Sequence, residues 1–288
     1  MAKDGSGRAQ WSSRSTFILA AVGSAVGLGN AWRFPGLAAK HGGGAFLLVF
    51  LLAMLVLGVP LLMMELSIGR RLKKGAPGCL RSISRKAEFI GWAATANAFV
   101  IAVYYAVVFA WVILMTVLSY EFAGATGDLA MARGLFMSAI RTTGTTSGFG
   151  VIPTGVLVSL LAAWGLIYYC IRNGAHSVGK VVKYTVLIPV ALLAIMAVKG
   201  LTMSGAGAGM ARLFIPDFSA LSDAEIWVDA VGQVFFSLSI MMAIMFAYGS
   251  FVDDRSNIAV DSLVIAFSDM AVSVLAGVVM FSTMGGVG

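Results

Sequence analysis

The sequence predicts an all-α, polytopic membrane protein, and three observations lead there. Of the 288 residues, 59% are hydrophobic and only 11% charged, where a soluble domain carries roughly a quarter. The apolar residues gather into seven runs: Ser15–Trp32, Gly42–Met64, Phe89–Tyr120, Gly155–Ile171, Tyr184–Val198, Ala230–Val252 and Ser262–Gly288. About 20 apolar residues cross a bilayer as a helix. Third, the first and sixth runs are interrupted by glycine and polar residues, GSAVGLGNAWRFP at 23–35 and GQVFFSLSIMMAIMFAYGS at 232–250.

Each run is read as one span. The first has no A-x-A cleavage site and stays in the chain rather than leaving as a signal peptide. The second ends on Glu65, five residues before Arg70, and the third is long enough to tilt or protrude. Thr142–Pro153 (TTGTTSGFGVIP) reads as an outer loop before the fourth. The fifth is short, and Lys180, Lys183 and Lys199 extend it by laying their aliphatic stems along it. Ser204–Gly209 is a glycine-rich joint to the sixth, and Asp269 interrupts the seventh, which runs to the uncapped tail MFSTMGGVG.

The basic residues set the orientation. With the N-terminus inside, the segments 1–14, 70–88, 172–183 and 253–257 hold fourteen of the twenty Lys and Arg. That is the positive-inside signature, so a plasma-membrane, multi-pass protein with a cytoplasmic N-terminus is expected. The net charge of +7 is therefore a topology signal, with no basic stripe interleaved with aromatics to bind nucleic acid. Cys79 and Cys170 lie in or beside the basic segments and read as free thiols. Gly27-Leu28-Gly29 follows no strand and lacks a third glycine, which removes dinucleotide binding. His41 and His176 are the only histidines, fall on opposite sides of the membrane, and read as solvated loop residues. No enzyme constellation remains, and the sixteen methionines read as apolar filler.

Intramembrane acids are costly and point to function. For Glu65 a place near the cytoplasmic interface is the competing reading, whereas eleven residues separate Asp269 from Asn257, at about 1.5 Å per residue into the bilayer. Irregular backbone at membrane depth survives where it faces protein or lines a cavity. Breaks five spans apart point to an inverted-repeat transporter. Free N–H groups at half-helix N-termini suit a carboxylate, and freed carbonyls with Asn and Ser oxygens suit a hard cation such as Na⁺.

GSAVGLGNAWRFP, HGGGAFLL at 41–48 and VGQVFFSLS at 231–239, in that order and spacing, resemble the neurotransmitter:sodium symporter family in its bacterial amino-acid branch, from Trp11 onward. The resemblance implies a fold of two inverted five-helix repeats with helices 1 and 6 unwound at mid-membrane. The chain would then divide into a cytoplasmic segment 1–14, a first repeat 15–201, an extracellular loop 202–226 and the start of a second repeat 227–288.

What the family does maps onto residues here. One sodium site is implied at Ala25, Asn30, Ser237 and Asp269, with the substrate carboxylate completing it, and a second begins with the carbonyls of Gly23 and Val26. The implied substrate pocket is Ala25, Gly27, Leu28 and Gly29, with Ile101 and Tyr105 from span three and Phe236, Ser237, Ser239 and Met242 from span six. Phe236 resembles the outer lid, Arg33 an outer-gate cation, Arg8 and Trp11 an inner-gate pair, and Glu65 an acid bracing broken backbone. Gly27 replaces the aspartate of the monoamine branch, which favours an amino acid, and the uncharged Ile101, Phe236 and Met242 favour a neutral apolar or aromatic one. Asp269 stands where many relatives carry asparagine, and Phe50 where chloride-dependent ones carry a tyrosine, which implies transport without chloride. Met241 and Ala243 replace the glycines that often flank Met242's position.

The expectation is thus sodium-coupled symport of a neutral amino acid by alternating access. Its partners are the amino acid, membrane lipid and, to complete the second repeat, further helices or a second copy. Seven spans are one repeat plus two, so the chain by itself is expected not to transport. A seven-span receptor that binds the same ligand without moving it is the alternative from another class; a channel is disfavoured by the apolar lining of span six.

Overall fold

The computed structural model describes residues 10–27, 29–122, 124, 129–141, 152–172 and 174–287. They form fourteen α-helices, and no strand occurs among the described residues. Two compact units are distinguished, residues 1–95 with 174–288, and residues 96–173.

In the first unit the chain begins with α1 (Arg14–Ala25), started by Ser13, whose hydroxyl accepts the Thr16 N–H at 3.1 Å. A π-turn at Gly29–Arg33 then leads into α2 (Phe34–Lys40), with Pro35 in its first turn. Gly42 and Gly43 turn the chain with φ near +78°, and the backbone of Arg212 lies too close to Gly43 for a side chain. Next come α3 (Gly44–Ala53) and α4 (Val59–Leu72), joined through a widened turn at Met54–Gly58 just before Pro60. Proline lacks an N–H, and the ladder shifts register there without breaking the span. After Lys73 (φ +52°) comes α5 (Ala76–Ile83), and α6 (Glu88–Val117) starts in this unit and continues into the other.

The second unit holds the rest of α6 with α7 (Ser119–Phe122), α8 (Leu129–Ile140) and α9 (Thr154–Ile171). Trp111 meets Phe136 edge-on at 6.3 Å, and Gly155 lets α9 approach Leu114. The loop expected at Thr142–Pro153 falls, up to residue 151, outside the described residues.

The first unit resumes with α10 (Ala175–Leu201), α11 (Ala206–Phe214), α12 (Ala224–Ser237), α13 (Ile244–Ser250) and α14 (Ile258–Val287). Here α1 packs on α10 and α14, α13 along α4, α12 on α3, and both α10 and α11 on α14. Phe17, Phe34, Phe46, Phe50, Leu66 and Leu238 fill the core, all fully buried.

Among the described residues five helical stretches are long and apolar enough to cross a membrane: Gly44–Leu72, Arg85–Val117, Thr154–Ile171, Tyr184–Leu201 and Ile258–Gly285. A sixth arises if α1 and Gly29–Lys40, bent by 47°, are one broken span. The sixth apolar run of the sequence is split between α12 and α13, each too short to cross by itself. Two segments that read as loops hold helices. Within 70–88, Ala76 and Cys79 stand three apart on one face of α5 and bury against Phe246. Within the expected loop 202–226, Gly209 of α11 admits α14 so closely that it lies against the Phe281 carbonyl. Both cysteines are free, and burial pushes the Cys79 thiol above its ordinary range.

Gly69 of α4 and Gly249 of α13 bring two backbones together, since a Cβ on the first would meet the Phe246 carbonyl and one on the second the Leu66 carbonyl. Gly69→Ala or Gly249→Ala should therefore lower stability by about 1–3 kcal/mol, read from thermal unfolding of the purified chain in detergent.

Candidate functional site: two facing helix breaks

The first break opens where α1 stops at Ala25 and Val26 turns extended (φ −76°, ψ 105°). The last four carbonyls of an α-helix lack a donor inside the helix. Here Val22 accepts the Val26 N–H at 2.6 Å, and Ser24 accepts the Ser239 hydroxyl from span six at 3.3 Å. The Asn30 side chain reaches back so that its Oδ1 accepts the Gly27 N–H at 3.0 Å. The Gly29 carbonyl accepts from Gln233 Nε2 at 2.9 Å, across 204 residues of sequence.

The second break runs from Leu238 to Ala243, with Ser239, Met241 and Ala243 at φ +55°, +62° and +63°. Left-handed backbone costs an L-residue roughly 1–2 kcal/mol, so three non-glycine residues there need outside support. Glu65 supplies it: fully buried on α4, its Oε1 accepts the Met241 N–H at 2.7 Å. Glu65 thus faces span six inside the protein and is shielded from solvent and lipid.

Between the breaks lies a buried cluster of oxygens. Around Asn30 Nδ2 stand Asp269 Oδ1 (2.7 Å), Ser273 Oγ (2.9 Å), the Asp269 carbonyl (3.1 Å) and Ser237 Oγ (3.4 Å). The Ser237 hydroxyl also donates to Asp269 Oδ2. An amide nitrogen has two N–H bonds, so four acceptors around it leave more lone pairs than protons. None of the described ion pairs involves Asp269. The arrangement is a donor-poor pocket of hard oxygens that includes a carboxyl group, which suits a small hard cation. Asn30, Ser237 and Asp269 were expected together; Ser273 was not, and only its spacing of four from Asp269 on one helix marked it.

Ala25 closes α1 in the interior, Gly23 packs tightly on Val186 and Val182 of α10, and Val26 is the break's first extended residue. A Cβ at Gly27 would meet nothing within 4 Å, whereas one at Gly29 would meet the Phe236 ring at 3.0 Å. Phe236 ends α12 with the Arg33 guanidinium 5.4 Å from its ring centre, and Arg33 also donates to Gln233 Oε1 at 2.7 Å. Gln233, read only as a polar residue of span six, thus joins Arg33 to the Gly29 carbonyl. Met242 is half-buried between Met241 and Ala243, and Phe50 packs on Phe34 at 4.9 Å. Ile101 and Tyr105 stand one turn apart on α6 in the second unit, with Tyr104 edge-on to Tyr105 at 5.0 Å. Leu28 and Arg8 lie outside the described residues.

The two spans are also tied at both ends. At one end Trp11 donates through its main chain to the Phe251 carbonyl (3.1 Å) and through its indole to the Tyr248 carbonyl (3.2 Å). At the other, Lys40 pairs with Glu225 (2.6 Å) and Asp229 (3.1 Å), and His41 Nε2 bonds Asp229 at 2.8 Å. His41 is therefore not a solvated loop residue: its ring is 6% exposed and stacks on Phe46 at 5.8 Å. Its partner is 188 residues away, and no local pattern announces it. The side chain of His176 lies outside the described residues.

The model of the sodium:neurotransmitter symporter family matches residues 8–132 and 135–287. The chain belongs to that family. Its relatives include the sodium-dependent neutral amino acid transporter B(0)AT3 of Mus musculus, 34% identical over 96% of this chain and 48% of that protein. An uncharacterized sodium-dependent transporter of Methanocaldococcus jannaschii is 35% identical over 96% and 56% of the two chains. Among solved structures, MhsT in complex with L-phenylalanine matches with a TM-score of 0.80 at 33% identity, over 98% of this chain and 62% of that one. This member of the symporter family has the polytopic helical transporter fold, and it spans about half the length of the curated relatives it matches.

Relief of the left-handed strain is testable. Ala243→Gly should stabilise the purified chain by about 1 kcal/mol, and Glu65→Ala should destabilise it by about 1–3 kcal/mol because the Met241 N–H loses its partner. Both are read from unfolding midpoints in detergent.

Proposed function

We propose that the protein is a sodium-coupled symporter of a neutral, apolar or aromatic amino acid, working by alternating access and without chloride. One observation carries the reading: a cluster of buried oxygens from spans one, six and seven, set where spans one and six come apart. Sodium would take the place of the shared Asn30 protons among Ser237 Oγ and Asp269 Oδ1, with the amide turned to offer its oxygen and the main chain at Ala25 adjoining. The carbonyls of Gly23 and Val26 would begin a second sodium site. A substrate carboxylate would complete the first shell from the open side of Gly27, which couples the two ligands because each lends the other a contact. At 100 mV each sodium ion entering adds about 2.3 kcal/mol of drive.

Roles for the further residues rest on their match to the family's motifs. Leu28, Gly29, Ile101, Tyr105, Ser239 and Met242 would line the substrate's place, with Phe236 as its cover. Arg33 and Arg8 with Trp11 would guard the two entrances. The absence of fixed charge at Ile101, Phe236 and Met242 supports an uncharged side chain, in keeping with a structural relative that holds L-phenylalanine. Asp269 supports chloride independence, because a carboxylate at the cation supplies the balancing charge that an anion would otherwise bring. The N-terminus would be cytoplasmic.

Labelled phenylalanine binding to the purified protein tests this. Replacing sodium by choline should weaken binding at least about tenfold, roughly 1.4 kcal/mol of coupling, while replacing chloride by gluconate should leave it unchanged. Asp269→Asn should lower the apparent sodium affinity by about tenfold or more. Equal binding in choline would refute sodium coupling, and loss in gluconate would refute chloride independence. Counterflow of the labelled amino acid in proteoliposomes holding the full-length protein separates a transporter from a receptor.

A further inference from the structure

The link between spans two and three carries seven Lys and Arg between residues 70 and 86, and three of them are accounted for inside the protein. Arg70 donates to the Ser256 carbonyl, Lys73 holds Asp254 at 3.0 Å and the Val252 carbonyl at 2.7 Å, and Arg81 stands 3.6 Å from Glu88. The other four, Arg71, Lys74, Arg85 and Lys86, are exposed and take part in none of the described ion pairs. Lys74 only shares a hydrogen bond with Ser82 at 3.1 Å. The acids of this region, Glu88 and Asp254, already face cations, and the Asp253 carboxylate accepts the Arg255 N–H at 2.9 Å.

Geometry holds these charges at the membrane face. α4 ends a span at Leu72 and the next begins at Arg85, with α5 between them on links 73–75 and 84–87. At about 3.4 Å per residue, neither link lets α5 depart the headgroup layer. α5 is also anchored from within, Ala76 and Cys79 being buried beside Phe246, Ile68 and Leu72. Immediately after the basic pair, Phe89 and Trp92 are 78% and 59% exposed. Aromatic rings beside Lys and Arg are the chemistry of a bilayer interface, apolar body toward the chains and cation toward the phosphates.

We propose that Arg71, Lys74, Arg85 and Lys86, with Phe89 and Trp92 beside them, form a docking surface for anionic phospholipid headgroups. Charge complementarity selects the occupant: four exposed cations with no ion-pair partner among the described residues, at headgroup depth, favour phosphatidylglycerol-like lipids over zwitterionic ones. The surface stands on its own residues and does not depend on the transport reading.

The test reconstitutes the chain in phosphatidylcholine vesicles and measures, by electron paramagnetic resonance, the motionally restricted fraction of spin-labelled phosphatidylglycerol against spin-labelled phosphatidylcholine. A preference of about fivefold for the anionic lipid is expected, roughly one such factor being available per basic residue near the surface, falling as salt is raised. R71Q/K74Q/R85Q/K86Q should bring it close to parity, while the charge-conserving R71K/K74R/R85K/K86R keeps it. R85Q/K86Q by itself should lower it, and serves as the readout if the fourfold neutral variant does not reconstitute. Equal restriction of the two lipids by the parent protein, or an undiminished preference in the neutral variant, overturns the proposal. So does selective binding of a poly-glutamate peptide with no lipid preference, which would assign the surface to an acidic protein segment.

Discussion

A backbone amide or carbonyl stranded in hydrocarbon costs several kcal/mol, and the site rests on how that cost is avoided at two places. Each break is supplied by side chains, most of them from another helix. Asn30 takes the Gly27 N–H, Gln233 feeds the Gly29 carbonyl, Ser239 feeds the Ser24 carbonyl and Glu65 takes the Met241 N–H. Remove the partners and an unbroken helix becomes the cheaper conformation. The breaks are thus a joint property of spans one, two and six rather than a local weakness of any one of them.

The same arrangement explains why the center is rich in oxygen acceptors. The groups that spans six and seven set around Asn30 Nδ2 are two hydroxyls, a main-chain carbonyl and a carboxyl, while the one amide they bring to the break, Gln233, is turned to the Gly29 carbonyl. Spans one and six are moreover fastened beyond the breaks in different ways. Trp11 docks one end through an indole and main-chain bonds, while Lys40 and His41 hold the other through Asp229. The middle of each span is left as the part that can change shape between two held ends.

Much of this was legible in the chain. The breaks were visible because GSAVGLGN and SLSIMM place small and polar residues inside membrane-grade runs, and Asp269 was visible because a lone acid that deep is expensive. The helices α5 and α11 were not, since short amphipathic and glycine-rich segments carry the composition of loops until a neighbour gives them a face to bury. For Glu65 the sequence left two readings open, a brace for broken backbone or a place near the interface, and only packing shows it bonded to Met241.

By itself the sequence determined which stretches enter the membrane, where two of them must open, and which ionisable groups go in with them. Those are consequences of solvent and local composition, and a single strand of text records both. Only the tertiary structure decided who satisfies whom: Asn30 with Ser273 across 243 residues, Gln233 with Gly29 across 204, His41 with Asp229 across 188. A hydrogen bond needs its two atoms within about 3 Å, and no periodicity along the chain encodes that meeting. It follows from how whole helices pack.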